Sequence, residues 1–148
     1  LLDYLACYSA GLQSAKRKGL LQASLEKAGS HLILLTPYRT SKEQSALLSG
    51  YLAHYHDLDG VQANFRGHPS AVIFSALLAV SDADDSFERL LAAYVQGVEF
   101  AGRIGLQCQP QHIKQGWHST ATIGSLAAAV AIGYFKTLPL TNILSYYR

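Results

Sequence analysis

The sequence predicts an all-α fold of about six to seven helices, with at most one short hairpin. Three observations predict it. Apolar residues recur at helical spacing over most of the 148 residues. Helix-start signals precede these runs, as in Ser41-Lys42-Glu43-Gln44, Pro69 and Asp84-Asp85-Ser86. A single short apolar stretch, His31 to Leu35, has the form of a strand, and no internal repeat of fixed period is visible.

The elements follow in order. Leu2, Leu5 and Tyr8 or Ser9 mark a helix from Leu1 to about Gly11. A second is expected from Ser14 to Lys27, with Leu20, Leu21, Ala23, Leu25 and Ala28 on its apolar side and Gly29 stopping it. His31–Leu35, before Thr36-Pro37, reads as a brief strand. The S-x-x-Q capping box at Ser41 starts a third helix, expected to end near Asp57. The stretch 59–68 is loop, broken by Gly60, Asn64 and Gly67. Pro69 opens a fourth helix, Ser70 to Ala83. Asp84-Asp85-Ser86 caps a fifth, from Phe87 to about Leu106, and a loop with Pro110 and Gly116 leads to a sixth, Ser119 to Phe135. Small residues between Gly124 and Gly133 imply close helix packing there. Pro139 opens a seventh.

Hydrophobic residues make up 49% and charged residues 15%, enough apolar material for one helical domain over 1–148. So little charge implies that part of the surface is covered, and a homodimer is the expected partner arrangement. A net charge of +2, with Lys16-Arg17-Lys18 as the longest basic cluster, excludes a nucleic-acid role. Gln115 to Phe135 is uncharged, but its strongly apolar part, Leu126 to Phe135, is shorter than the ~20 residues of a membrane span. Cys7 and Cys108, in apolar helical patterns, are expected to be reduced core residues of a cytoplasmic protein. A signal peptide is not expected at Leu1-Leu2-Asp3-Tyr4, which has no basic n-region. The chain contains no methionine and opens inside an apolar helical pattern, so a part of a longer protein is expected. G-x-S-x-G, P-loop and G-x-G-x-x-G patterns are all missing, which removes serine-hydrolase and nucleotide-binding readings.

Two histidines occupy similar places. Gly67-His68-Pro69-Ser70-Ala71-Val72 and Gly116-Trp117-His118-Ser119-Thr120-Ala121 each set one after a glycine-containing loop and before an expected helix. Helix starts present free N–H groups and partial positive charge, which attract carboxylates, and an imidazole beside such a site is placed to exchange a proton with the bound anion. A third segment, His54-Tyr55-His56-Asp57-Leu58-Asp59-Gly60, gathers acids at a helix end, where they are electrostatically unfavourable. Asp57 and Asp59 are suited to orienting a histidine, acting as a base or binding metal. A metal site is not expected, because on a continuing helix His56 faces away from His54 and Asp57 and no second ligand cluster of known spacing follows.

Four ordered segments resemble the MmgE/PrpD family, which includes 2-methylcitrate dehydratase and cis-aconitate decarboxylase. Ser49-Gly50-Tyr51-Leu52-Ala53-His54-Tyr55-His56-Asp57-Leu58-Asp59-Gly60 is similar to the family's N-G-x-x-x-H-x-x-D-x-D-D, and Gly67 to Val72 to its G-H-P-S-A-V. Arg89 to Gly105 resembles D-L-L-A-A-Y-V-x-G-x-E-x-x-x-R-x-G, and Gly116 to Gly124 resembles G-[FW]-H-x-T-A-T-x-G. The opening Leu1-Leu2-Asp3-Tyr4-Leu5-Ala6-Cys7 is similar to L-L-D-x-L-G-C, so the resemblance spans nearly the whole chain.

The resemblance implies a helical domain acting on small di- or tricarboxylates without metal or organic cofactor, as a lyase or isomerase. Asp57, His68 and His118 then fall on active-site positions. Arg66 is a candidate carboxylate clamp, and Ser70 and Thr120 complete the expected substrate-binding set. One shared cleft is expected to hold His68 and His118, with Asp57 at its wall. Two departures bear on activity: Gly60 replaces the second acid of the D-D pair, and Val61 replaces a threonine. Complete members are much longer and add an α+β domain with a T-K-P-like lysine segment, which this sequence lacks. The alternative expectation is therefore a catalytically inactive helical oligomerisation or binding module.

Overall fold

The computed structural model describes residues 1–15 and 29–139. Among them are six helices and one two-stranded antiparallel hairpin, the all-α architecture expected. The helices are α1 (Leu2–Ala15), α2 (Lys42–Ala53), α3 (Pro69–Val80), α4 (Phe87–Cys108), α5 (Gln111–Lys114) and α6 (Ser119–Phe135). In the hairpin, β1 (His31–Leu32) pairs with β2 (Arg39–Thr40), His31 opposite Thr40. The expected Ser14–Lys27 helix lies outside the described residues from 16 onward, as does the helix expected beyond Pro139.

Local signals set most helix starts. Ser41 is extended and its hydroxyl accepts the Gln44 N–H at 3.2 Å, as the capping box requires. Ser86 does the same for Arg89 at the start of α4. Pro69 fills the first position of α3, where its missing N–H costs nothing. Several boundaries differ from expectation: α1 runs on to Ala15 past Gly11, and α3 stops at Val80, short of Ala83. The helix expected to reach Asp57 ends at Ala53 with His54 as its C-cap, because the chain turns through Asp57 at a left-handed φ of 56°. The Pro110 loop contains the single helical turn α5, closed by the Gln115 N–H on Gln111 O.

Helix α3 is apolar almost all round, which is the pattern of a helix surrounded by others. It packs against α2, α4 and α6, while α1 closes over α2. Tyr4, Phe74, Leu48, Leu52 and Leu77 are buried at the centre. The phenols of Tyr4 and Tyr8 are satisfied there, at 2.9 Å from Ser75 Oγ and 2.9 Å from Leu34 O. Gly97 lets α4 approach α6, since a Cβ there would sit 3.0 Å from Ala127 O. That is the close packing expected of the Gly124–Gly133 run. Cys7 and Cys108 are free thiols at half-buried positions rather than in the innermost core. Among the described residues no helix is long and apolar enough to cross a membrane.

The remote ends of α4 and α6 are clasped. Arg89 donates from Nε to Phe135 O at 2.7 Å and from a terminal nitrogen to Tyr134 O at 2.9 Å, satisfying carbonyls that the end of α6 leaves open. Lys136 answers with an ion pair to Asp85 at 2.7 Å.

Candidate active site

The cluster begins where α2 stops. Because the chain leaves the helix after Ala53, His54 no longer follows helical phase and its ring turns towards the residues that come next. Its Nδ1 lies 2.8 Å from Asp59 Oδ1 and its Nε2 lies 3.8 Å from Asp57 Oδ1. The loop 59–68 then folds back, with Gln62 and Gly67 forming an isolated bridge, and delivers His68 to the start of α3. His68 Nδ1 is 2.8 Å from the Asp59 carbonyl oxygen and 3.4 Å from Asp59 Oδ1, while its Nε2 is 3.3 Å from Asp57 Oδ1. The two rings stand 4.6 Å apart at 54°.

These contacts fix the tautomers. A carbonyl oxygen only accepts, so His68 Nδ1 carries the hydrogen and donates it to Asp59 O. By the same logic His54 Nδ1 donates to the Asp59 carboxylate. In the neutral rings both Nε2 atoms are then bare lone pairs, and both face the Asp57 carboxylate. Three acceptors converge with no hydrogen between them. A proton, a cation or a donor from solvent or ligand reconciles them.

The two aspartates have different roles. Asp59 is fully buried at its side chain, and among the described residues its second oxygen, Oδ2, has no hydrogen-bond partner. Asp57 is 76% exposed at its side chain and sits on the strained turn. Asp59 therefore holds the rings from behind, and Asp57 closes the cluster on the solvent side.

A cleft of about 700 Å³ opens beside this cluster. Leu47, Gly50, Tyr51 and Tyr55 line it from α2 and the following turn, Val72 from α3, and His118, Thr120 and Ala121 from the start of α6, with His54 at the wall. It is a largely apolar cleft with His54, His118 and Thr120 among its lining, a form suited to a small ligand with a polar head. Thr120 joins the parts, since its Oγ1 accepts the His68 N–H at 3.0 Å. Gly67 makes that approach feasible, because a Cβ there would lie 2.9 Å from Thr120 Oγ1 and 2.9 Å from the Phe65 ring.

The other expected site residues are placed as follows. His118 is exposed, caps α6 without a side-chain cap bond, and lines the cleft. His68 and Asp57 stand together in the cluster, next to His54 rather than among the lining residues. Arg66 is exposed at a left-handed φ of 53° and does not line the cleft. Ser70 is buried and its hydroxyl is engaged with Tyr94 OH at 2.7 Å, which positions a ring stacked on Phe74. His54 and Asp59 carry more of the geometry than the sequence analysis assigned them. The available signal is their place in the H-x-x-D-x-D segment, where a continuing helix turns only His56 away from His54 and Asp57. At the two departures, the Gly60 N–H donates to Asp3 Oδ2 at 3.1 Å, and Val61 is exposed.

The fold and the cluster together define an all-α domain carrying a histidine–carboxylate site at the mouth of an interhelical cleft. The chain belongs to the MmgE/PrpD family, matching its N-terminal domain over residues 1–145. No curated protein matches the chain.

Proposed function

We propose that this chain is the helical, acid–base part of a lyase or isomerase acting on a small di- or tricarboxylate, by proton transfer at a carbon next to a carboxylate. The observation that carries this reading is the pair of bare Nε2 atoms, oriented by Asp59 and set against Asp57 beside a ligand-sized cleft. His54, at the cleft wall, and His68 behind it take the proton as a pair, with Asp59 fixing their tautomers and Asp57 stabilising the imidazolium that results. His118 and Thr120 meet the substrate at the start of α6, where free N–H groups favour a carboxylate. Dehydration, decarboxylation and epimerisation all share this first step.

A specific observation favours a second reading, a binding or oligomerisation module without turnover. Among the described residues lining the cleft there is no lysine or arginine to neutralise a polycarboxylate. In the first reading those cations come from a further domain or chain.

The test is solvent-deuterium exchange. The protein is incubated in D2O with citrate, methylcitrate or cis-aconitate, and the C–H resonances are followed by NMR. Deuterium incorporation that disappears in His68→Gln supports proton transfer at this site. No incorporation, with no binding of any of the three acids, leaves the module reading.

A further inference from the structure

The geometry points to an alkyl-binding subsite in the cleft, so that the acid taken here carries an apolar side chain longer than a methyl group. This inference rests on the acid–base reading for where the carboxylate sits, and it adds what the rest of the molecule must be. The cleft has a second lobe of about 340 Å³, which shares His54 and Thr120 with the space beside His118 and extends past Ala46, Val72 and Ala76. It runs between α2 and α3, away from the histidine–aspartate cluster. On α2 its lining recurs at helical spacing, from His54 through Gly50 back to Ala46. A rise of about 1.5 Å per residue makes that run about 12 Å long, room for a chain of several carbons.

The chemistry of the lobe selects its occupant. Among the described residues no lysine, arginine, aspartate or glutamate lines it. Ser75, the one hydroxyl on its α3 wall, is held by Tyr4 OH at 2.9 Å. A carboxylate placed there would lose its hydration without gaining a partner. A methylene chain has no such penalty, and each methylene that the groove covers strengthens binding about two- to fourfold. A wall without cations is unfavourable to a further carboxylate and favourable to an alkyl chain.

Gly50 points the same way. It lines both lobes, and a Cβ there would stand 3.4 Å from Ala71 O and 3.8 Å from Ser75 Oγ, which is ordinary contact. The packing of α2 on α3 therefore does not demand a glycine at this position, and the space it leaves belongs to the groove. Leu47 stands beside that space and is 54% exposed, an apolar wall facing solvent next to the polar end of the site.

The experiment compares succinate with its 2-methyl, 2-butyl and 2-hexyl derivatives. Calorimetry gives the affinity of each, and NMR in D2O follows deuterium uptake at the carbon next to a carboxylate. The hexyl acid is expected to bind at least about tenfold tighter than the methyl acid. Ala76→Phe fills the far end of the lobe and is expected to remove that gain. Ala83→Phe, at an exposed position in the turn after α3, is the control and keeps it. Should Ala76→Phe lose its fold by circular dichroism, NOEs in the unaltered protein decide: the hexyl methyl must reach the methyl groups of Ala46, Val72 or Ala76. Absence of binding, equal affinity across the series, a gain that survives in folded Ala76→Phe, or NOEs only to residues outside the lobe overturns the subsite. Graded affinity with no deuterium uptake from any acid keeps the subsite and overturns the acid–base reading. Uptake from citrate, methylcitrate or cis-aconitate with a flat affinity series does the reverse.

Discussion

Gly105→Ala probes whether the cluster depends on packing that it does not itself touch. Gly105 lies near the end of α4 and faces the loop that carries His68. A Cβ there would meet Asn64 O at 2.3 Å, Phe65 Cα at 2.7 Å and Asn64 C at 2.8 Å. All three are backbone atoms, so no side chain can rotate away, and the gap to the carbonyl oxygen must open by about 1 Å to reach ordinary contact. Phe65 resists the shift because it is fully buried and its amide is held by Gln62 Oε1 at 2.6 Å. Overpacking of this kind costs about 1–3 kcal/mol, against about 1 kcal/mol gained from alanine's helix propensity. The expected net loss is up to about 2 kcal/mol, a fall in Tm of up to about 8 °C for a chain of this size. The displaced loop also moves His68, and a misplacement near 1 Å costs about 100-fold in a reaction that depends on alignment. Thermal denaturation and deuterium exchange on the same sample measure both effects. Gly60→Ala is the comparison, since its Cβ meets nothing nearer than Asp3 Oδ2 at 3.5 Å. A Gly105→Ala protein with unchanged Tm and unchanged exchange would refute the argued link between α4 and the His68 loop.

Three further outcomes are expected. Ser41→Ala removes the cap of α2 and should cost about 1 kcal/mol in urea denaturation. Burial pushes the Tyr4 phenol up to about 12, the hydrogen bonds to Ser75 and Ser49 only partly offsetting it. A raised folded value means the folded state holds the proton longer, so stability is intact below pH 10 and drains from pH 10 towards 12, by about 1.4 kcal/mol per pH unit. Tyr8, raised mainly by burial and then by Tyr4, adds to the slope, so Tyr4→Phe should reduce the alkaline loss without abolishing it. The Lys136 hydrogen bond, then the Asp82 backbone, hold Asp85 below the usual carboxylate range. That contribution is present above the unfolded value of 3.8 and disappears as pH falls through the lower folded one, so Asp85→Asn should flatten the acid limb of the stability curve.

Where a feature is written in neighbouring residues, the sequence alone displayed it. Ser41 and Gln44, Pro69, and Ser86 are local devices, and the helices begin where they stand. The histidines at the starts of α3 and α6 were legible for the same reason. What could not be read depends on contacts between distant segments. Nothing in the apolar spacing of residues 46–53 marks Asp57 as left-handed, so the expected α2 runs one turn too far, and the return of Asp59 and His68 onto the His54 ring is not visible in it. Ser70 looked available for substrate until Tyr94, twenty-four positions away, was found to hold its hydroxyl. Asp59 and Asp57 are indistinguishable as letters. Complete burial of one and exposure of the other arises from α1, whose Asp3 holds the loop at Gly60, and from the return of that loop onto α3.

The cluster and the cleft differ in how far along the chain their parts are drawn. His54, Asp57, Asp59 and His68 come from one short unbroken stretch, whereas the cleft needs His118 and Thr120 from another helix hairpin downstream. Closing a loop costs entropy that grows with its length, so the short stretch closes on itself more cheaply than the cleft assembles. In folding, the histidine–aspartate knot is expected to gain its shape early and the pocket to mature around it late. Amide exchange would show this as protection of the Gln62–Gly67 bridge that outlasts protection at the first turn of α6.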